Sequence, residues 1–339
     1  MSRTLLAFAW KIPPIRLNVP AIPTSVRLSG PDGATAGVPR RPWPVKPASK
    51  VLAVPQDGLC LLSVHAHPDD ESSKGPSTVA RYHAEGVRTV LVCCTGGEAG
   101  DILNPAMDTP EVRANIGAVR LAELKAATDI IGYDETVMLG YRDSGMPGTE
   151  ANENPESFAQ APLDEAVGRL VAVIRRVRPQ VILTYPEDQS EYPHPDHLRV
   201  HEISVVAFDA AGAADRFPDA GPPFTPSKLY YSVWPAERFR RIHAKFLELG
   251  LESPFSEERM SRMTREDPFT TSIDVKGFEG VRGRALKAHA TQVDPNSPFW
   301  FGLPPEVLED IDPVDHFRLA RSRVGSVDVT EDDLFAGLR

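Results

Sequence analysis

The sequence lacks the features of a membrane protein and of a disulfide-stabilised protein. Among its 339 residues, no apolar run approaches the roughly 18 residues that a membrane span needs. Only three cysteines are present, Cys60, Cys93 and Cys94, which is too few for a disulfide framework. Each falls in a segment that predicts a strand, so we expect buried thiols and a reducing, cytoplasmic setting.

The chain also lacks the positive charge that nucleic-acid binding requires. Its net charge is −10, although residues 1–50 contain eight Lys or Arg against one acid, Asp32. The rest holds 29 basic and 46 acidic residues and would repel a phosphate backbone. We expect neither nucleic acid nor a membrane as a partner. With nine prolines and no sustained periodicity, residues 1–50 predict a flexible Pro-rich basic tail.

Beyond residue 50, strand and helix patterns alternate. This alternation predicts an α/β fold, a Rossmann-like and mostly parallel sheet with helices on both faces. We expect a single catalytic domain over 51–339, with a core at about 58–215 and a C-terminal extension at about 216–325 that packs on the sheet. Strands are predicted at 59–66, 88–95, 136–141 and 180–185, and helices at 77–85, within 111–132, and from a cap near Asp164 to Pro179.

Each predicted strand ends in a polar cluster. HPDDE (67–71), TGGE (95–98), GYRDSG (140–145) and YPEDQSEYPHPDH (185–197) follow the four strands in turn. Ligands of open α/β sheets bind beyond the carboxyl ends of the strands, so we expect the four clusters to meet at one rim. TGGE lacks the GK[ST] ending of a phosphate loop, which argues against nucleotide binding.

The first and last clusters contain the ligand types of a catalytic metal site. Two histidines and a carboxylate are a common zinc set, and a cation would relieve the repulsion among the carboxylates of HPDD. Taken alone, HPDD is as consistent with a helix cap at Asp69 or Asp70, and HPDH with a simple turn. Together, at two strand ends, they favour a metal. The candidates are His67, Asp69, Asp70, His194, Asp196 and His197.

Three longer segments resemble the LmbE/PIG-L family of zinc-dependent N-deacetylases. They are HAHPDDESSKG (65–75), TGGEAGDILNP (95–105) and YPHPDHLRVH (192–201), and the resemblance covers roughly residues 58–325. SSKG, GYRDSGMP (140–147) and HATQVDPNSPFWFGLP (289–304) are similar to the mycothiol S-conjugate amidases within that family.

The resemblance implies roles for particular residues. His67, Asp70 and His197 would be the zinc ligands, and Asp69 the general base that deprotonates the attacking water. His194 would stabilise the oxyanion or act as an acid, oriented by Asp196, and Tyr192 would help to polarise the carbonyl. Positions implied to contact the substrate are Lys74, Glu98, Arg120 and Asp143, with Lys74 favouring the larger conjugate.

The resemblance also implies an activity. We expect one Zn²⁺ per chain, with Fe²⁺ as an alternative in the cell, and hydrolysis of a small-molecule pseudo-disaccharide thiol conjugate. The products would be a mercapturic acid and glucosaminyl-inositol, in detoxification. Alternatives are an N-acetylglucosaminyl-inositol deacetylase or an amidase for a thiol-conjugated natural product. From other classes, two histidines and a carboxylate also suit a non-heme iron oxygenase, and a metal-binding protein without activity is the last option.

Overall fold

Runs of aliphatic residues build one central sheet. The computed structural model describes residues 58–187, 193–262, 268–311, 313–325 and 330–339; the predicted tail and Tyr192 lie outside them. The strands of the described residues are β1 (Cys60–His65), β2 (Arg88–Thr95), β3 (Glu135–Tyr141), β4 (Val181–Thr184), β5 (Lys228–Val233), β6 (Thr271–Asp274) and β7 (Val314–Ser322).

The sheet is mostly parallel, as the alternating pattern predicts. Its strand order is β3-β2-β1-β4-β5-β7-β6. The first five strands pair in parallel, whereas β7 runs antiparallel to both β5 and β6. The strand order therefore reverses between β1 and β4, and in open α/β sheets such a switch point opens the crevice that binds ligands. Residues beyond 215 contribute three strands to the same sheet.

Helices link the strands. Those of the described residues are α1 (Asp70–Ser73), α2 (Pro76–Ala84), α3 (Pro110–Ala114), α4 (Ile116–Ile131), α5 (Glu150–Glu153), α6 (Leu163–Val177), α7 (Pro195–Ala210), α8 (Ala236–Glu248), α9 (Glu257–Arg262), α10 (Gly280–Ala288), α11 (Pro298–Phe301) and α12 (Pro305–Ile311), with two 3₁₀ turns at Phe158–Gln160 and Pro218–Ala220. None of these described helices has both the length and the apolarity for a membrane crossing.

The sheet divides the hydrophobic core into two layers. Side chains of a strand alternate between its faces, so Leu62 and Val64 of β1 pack with α6 and α7. Leu61 packs on the other face with residues of α2 and α10. Every residue of β1 is buried, as expected for a parallel strand covered on both faces. The three cysteines are free and buried, as predicted.

Two helices differ in detail from their predicted extents. The helical pattern within 111–132 is two helices, α3 and α4, because the backbone breaks at Asn115 with φ −126° and ψ 21°. Helix α6 begins at Leu163, so that Asp164 lies in its first turn. There its charge complements the positive end of the helix dipole.

Candidate metal centre

The structure brings the four polar clusters to one rim, at the carboxyl ends of β1 to β4. Parallel pairing forces this arrangement, because all four strands point the same way. HPDDE leaves the end of β1 and TGGE the end of β2. Asp143 follows β3, and the segment after β4 leads to His194 at the start of α7. Tyr192 cannot be placed, since it lies outside the described residues.

Two overlapping groups of side chains could hold a metal ion. His67, Asp70 and His197 form one group, and all three are buried. The second group consists of His67, Asp143, His194 and Asp196. Within each group the ligand atoms lie within 4.8 Å of one another. Imidazole nitrogens and carboxylate oxygens at such separations are the donors that Zn²⁺ and similar divalent cations bind.

The two ring nitrogens of His67 face different partners. Nδ1 lies 3.5 Å from Asp70 Oδ2, while Nε2 lies 3.1 Å from Asp196 Oδ2 and 3.5 Å from Asp143 Oδ1. Metal-binding histidines commonly use one nitrogen for the ion and donate the other N–H to a carboxylate. His67 fits that pattern with Nδ1 on the side of Asp70, whose other oxygen lies 3.3 Å from His197 Nε2.

Donors of the second and third strand-end loops hold Asp196 and Asp143. Ser144 donates its backbone N–H to Asp196 Oδ2 over 3.0 Å and its hydroxyl to Oδ1. Asp143 accepts the N–H groups of Ala99 and Gly145, at 3.2 and 2.8 Å. These fixed carboxylates therefore provide rigid acceptors beside His67.

Charge in the site is governed by these contacts. Burial alone would lower the pKa of His67, but its hydrogen bonds to Asp143, Asp196 and Asp70 outweigh burial and raise that pKa. Burial would raise the pKa of Asp70, yet Lys74 and His197 hold it well below its usual value. A metal ligand must be deprotonated, so a cation here would compete with the His67 proton.

The balance of charged residues favours a cation. Four carboxylates meet at this rim, those of Asp69, Asp70, Asp143 and Asp196. Among the described residues, two permanently charged cations contact them directly, Lys74 and Arg120. A divalent ion would neutralise the excess, and the nature and spacing of the donors suit it.

Asp69 has an unusual backbone conformation, with φ 117° and ψ −27°. A non-glycine residue there costs about 1–3 kcal/mol and persists only where its surroundings impose it. Arg120 is buried and donates to the carbonyl of Pro68 at 2.5 Å, to the carbonyl of Gly97, and to Asp69 Oδ2 at 3.2 Å. Asp69 occupies the N-cap position of α1 but makes no side-chain cap bond, which disfavours the simple capping interpretation.

The surroundings of Asp69 also set its charge. Loss of solvation raises the pKa of Asp69, and the Arg120 charge opposes this change. A carboxylate with a raised pKa is a better proton acceptor near neutral pH. Asp69 therefore combines an unusual backbone conformation with a raised pKa.

Lys74 lies beside the candidate metal ligands. Its Nζ donates to Asp70 Oδ1 at 2.6 Å and lies 5.2 Å from the centre of the Tyr185 ring. Tyr185 in turn stacks on His197, with the ring centres 4.7 Å apart, and its hydroxyl accepts the N–H of Ala66 at 3.1 Å. Tyr185 is not among the residues that the sequence analysis singles out for the site.

His194 lies beside His67, with the two ring centres 4.5 Å apart. Its Nδ1 accepts the backbone N–H of Asp196 at 3.2 Å, which assigns the proton of the neutral ring to Nε2. Burial lowers the pKa of His194 to about 4, with the nearby charges of His67 and His197 acting in the same direction. The neutral ring is therefore a hydrogen-bond donor at neutral pH.

The residues expected to contact the substrate differ in exposure. Lys74 is partly accessible, and Glu98 is half-buried with its Oε1 accepting the N–H of Asp143 at 3.2 Å. Arg120 and Asp143 are 2% and 5% exposed. The polar contacts described for Arg120 and Asp143 are with the protein itself.

The fold and this site together define a class of enzyme. The family described as PIG-L, GlcNAc-PI de-N-acetylase, matches residues 62–208. The N,N′-diacetylchitobiose deacetylase from Pyrococcus horikoshii shares the fold, with a TM-score of 0.53 at 15% identity over 78% of this chain and 84% of that one. The chain belongs to the PIG-L family and is a hydrolase of the amidase and deacetylase class.

Two curated relatives are more similar in sequence. The mycothiol S-conjugate amidase of Streptomyces coelicolor is 43% identical, over 84% of this chain and 98% of the relative. The 1D-myo-inositol 2-acetamido-2-deoxy-alpha-D-glucopyranoside deacetylase of Geodermatophilus obscurus is 39% identical, over 82% of this chain and 97% of the relative. Relatives of both kinds cover more than four fifths of this chain.

Proposed function

We propose that the protein is a zinc-dependent amidase that cleaves mycothiol S-conjugates to a mercapturic acid and glucosaminyl-inositol. The observation that carries the proposal is Lys74, which follows HPDDE within SSKG and places its Nζ 2.6 Å from Asp70 at the candidate metal centre. The 43% identity to an amidase of this activity supports the same substrate class. Deacetylation of N-acetylglucosaminyl-inositol is the second candidate, supported by the relative at 39% identity.

In the proposed site, His67, Asp70 and His197 would hold the ion, and Asp196 would accept the Nε2–H of His67. The ion would supply Lewis acidity for the amide carbonyl and a lowered pKa for water. Asp69 accepts a proton from the attacking water and returns it to the leaving amine. His194 donates its Nε2–H to the oxyanion, which fits its low pKa better than a role as the acid.

We propose that the substrate binds to side chains at the rim. Lys74 is the partly exposed cation beside the candidate ligands, and Glu98 and Asp143 offer acceptors for sugar hydroxyl groups. The site is expected to work with one Zn²⁺ per chain, with Fe²⁺ as the alternative in the cell. Tyr192 keeps its proposed role of polarising the carbonyl.

A competition assay tests the substrate assignment. Metal-loaded protein is offered a mycothiol S-conjugate and N-acetylglucosaminyl-inositol at equal concentration, and products are followed by mass spectrometry. The initial product ratio equals the ratio of the two kcat/KM values, so incomplete metal loading cancels. We expect the mercapturate to exceed acetate at least tenfold. Acetate as the main product would contradict the amidase assignment and favour the deacetylase.

Variants of Lys74 test the observation that carries the proposal. Lys74→Met keeps the length of the side chain and removes its charge, so we expect the product ratio to shift toward acetate by roughly tenfold, about 1.4 kcal/mol of selectivity. Lys125→Met, at an exposed lysine of α4, is the matched control and should leave the ratio unchanged. An unchanged ratio for Lys74→Met would remove Lys74 from the selectivity argument.

A further inference from the structure

The backbone of Asp69 is held in its unusual conformation by a side chain two residues away. The Asp69 N–H donates to Glu71 Oε2 at 2.9 Å. Its carbonyl accepts the N–H of Ser72 at 3.0 Å. The backbone N–H and the backbone carbonyl of Asp69 are therefore both hydrogen-bonded within the turn. Glu71 therefore binds the N–H of a residue whose φ is 117°.

Glu71 is itself fixed from a distant part of the chain. Its other oxygen, Oε1, lies 2.6 Å from Nε2 of His289, 218 positions later in the sequence. The Ser72 hydroxyl donates to the same oxygen at 2.5 Å. Glu71 is 1% exposed and His289 is fully buried. Burial would lower the pKa of His289, but the adjacent Glu71 carboxylate raises it overall, which favours a charged pair.

His289 belongs to a segment that is anchored to the protein on several sides. It follows the last residue of α10, which packs against α1 and α4. Thr291 donates its N–H and its hydroxyl to Glu123 of α4, at 2.8 and 2.6 Å. Asn104 binds the carbonyl of Ala290 at 2.9 Å. These contacts fix the imidazole relative to the catalytic turn.

His289 Nδ1 is buried and has no hydrogen-bond partner among the described residues. Such an unsatisfied group has a cost. The Nε2 atom of His289 contacts Glu71, and Glu71 in turn accepts the N–H of Asp69.

We propose that Glu71 and His289 are positioning residues that hold the Asp69 peptide so that its carboxylate faces the attacking water. The inference rests on the proposed role of Asp69 as the general base. Loss of the pair should reduce turnover through Asp69 and leave substrate affinity and metal content in place. A merely structural pair would instead affect stability and spare kcat.

The test compares His289→Leu with His289→Gln, whose side-chain amide keeps an N–H donor for Glu71. Thr291→Val is the matched control, because it removes the buried hydroxyl bond to Glu123 but keeps the Thr291 N–H bond that anchors the segment beside His289. We expect kcat to fall roughly 10- to 100-fold in His289→Leu, a range typical of supporting contacts, and to recover in part in His289→Gln. KM and bound metal should stay within about twofold of wild type, and Thr291→Val should keep kcat even where its Tm falls.

A double-mutant cycle with Asp69→Asn separates a positioning role from a general loss of structure. In the Asp69→Asn background, His289→Leu should lower kcat by no more than about twofold, because the group it positions has already lost its basicity. Where His289→Leu does not yield folded protein, Glu71→Gln replaces it in the same cycle.

The outcomes distinguish this inference from the proposed function. Undiminished turnover in Asp69→Asn would end the role of Asp69, and the inference with it. If Asp69→Asn is inactive but His289→Leu and Glu71→Gln keep wild-type kcat, only the positioning pair is refuted. Equal losses from His289→Leu in both backgrounds would likewise show that the pair acts independently of Asp69.

Discussion

Arg120 provides a quantitative test of how the candidate site is built. Its guanidinium joins two strand-end loops, since it donates to the carbonyls of Pro68 and Gly97 and contacts Asp69 Oδ2 at 3.2 Å. The side chain is 3% exposed. Substitution by Met keeps most of the apolar stem but leaves these acceptors without their donor.

The loss can be estimated from these contacts. A hydrogen bond from a charged donor contributes about 1.5–3 kcal/mol, so the two carbonyl bonds account for roughly 3–6 kcal/mol. The Asp69 side chain is 29% exposed, and solvent screening makes its share small. Allowing for relaxation around the methionine, we expect Arg120→Met to lower the free energy of unfolding by about 3 kcal/mol. For a chain of 339 residues that lowers Tm by roughly 4–5 °C.

Urea denaturation measures this change directly. Lys125→Met is the control, since Lys125 lies on the same helix with 71% of its side chain exposed, and should change stability by less than about 0.5 kcal/mol. If Arg120→Met were as stable as wild type while KM rose, the guanidinium would serve the substrate and the structural account of Arg120 would be wrong.

Three further predictions concern the remainder of the fold. Glu331→Ala should destabilise the protein by about 3–5 kcal/mol in urea denaturation, because it leaves Lys228 buried without its partner at 2.5 Å; the double variant Lys228→Met, Glu331→Leu should recover most of that loss. Phe335→Ala should cost about 3–5 kcal/mol, since its ring is fully buried against Tyr82, and a cost below 1 kcal/mol would contradict this packing. Burial raises the pKa of Cys60 to about 12, which leaves almost no thiolate at pH 8; iodoacetamide should label no thiol of the native protein and three after unfolding, as counted by mass spectrometry.

The location of the site could be predicted from local sequence alone. Short apolar segments that alternate with helical patterns predict the parallel sheet. Because parallel strands point the same way, the residues that follow them meet at one edge. That pattern gave six candidate residues at one rim, and the choice of His67, Asp70 and His197 among them came from the family resemblance. Burial of the cysteines followed from the same strand pattern.

Contacts that depend on tertiary packing could not be predicted in this way. The His289–Glu71 pair spans 218 positions, and no local pattern connects α10 to the turn after β1. The turn at Asn115 that separates α3 from α4 interrupts an otherwise continuous helical pattern. Asp196 is expected to orient His194, and in the structure its backbone N–H donates to His194 Nδ1 while its carboxylate contacts His67 and Ser144. Such choices depend on side-chain geometry that spacing does not encode.

A zinc titration of turnover tests the central claim most directly. Metal-free protein is titrated with Zn²⁺ while cleavage of a mycothiol S-conjugate is followed, for wild type, His197→Gln and Asp69→Asn. We predict that activity rises linearly to one equivalent per wild-type chain, that His197→Gln binds zinc at least tenfold more weakly, and that Asp69→Asn binds one equivalent with little turnover. Full turnover in metal-free wild type, or wild-type zinc affinity and turnover in His197→Gln, would contradict the account.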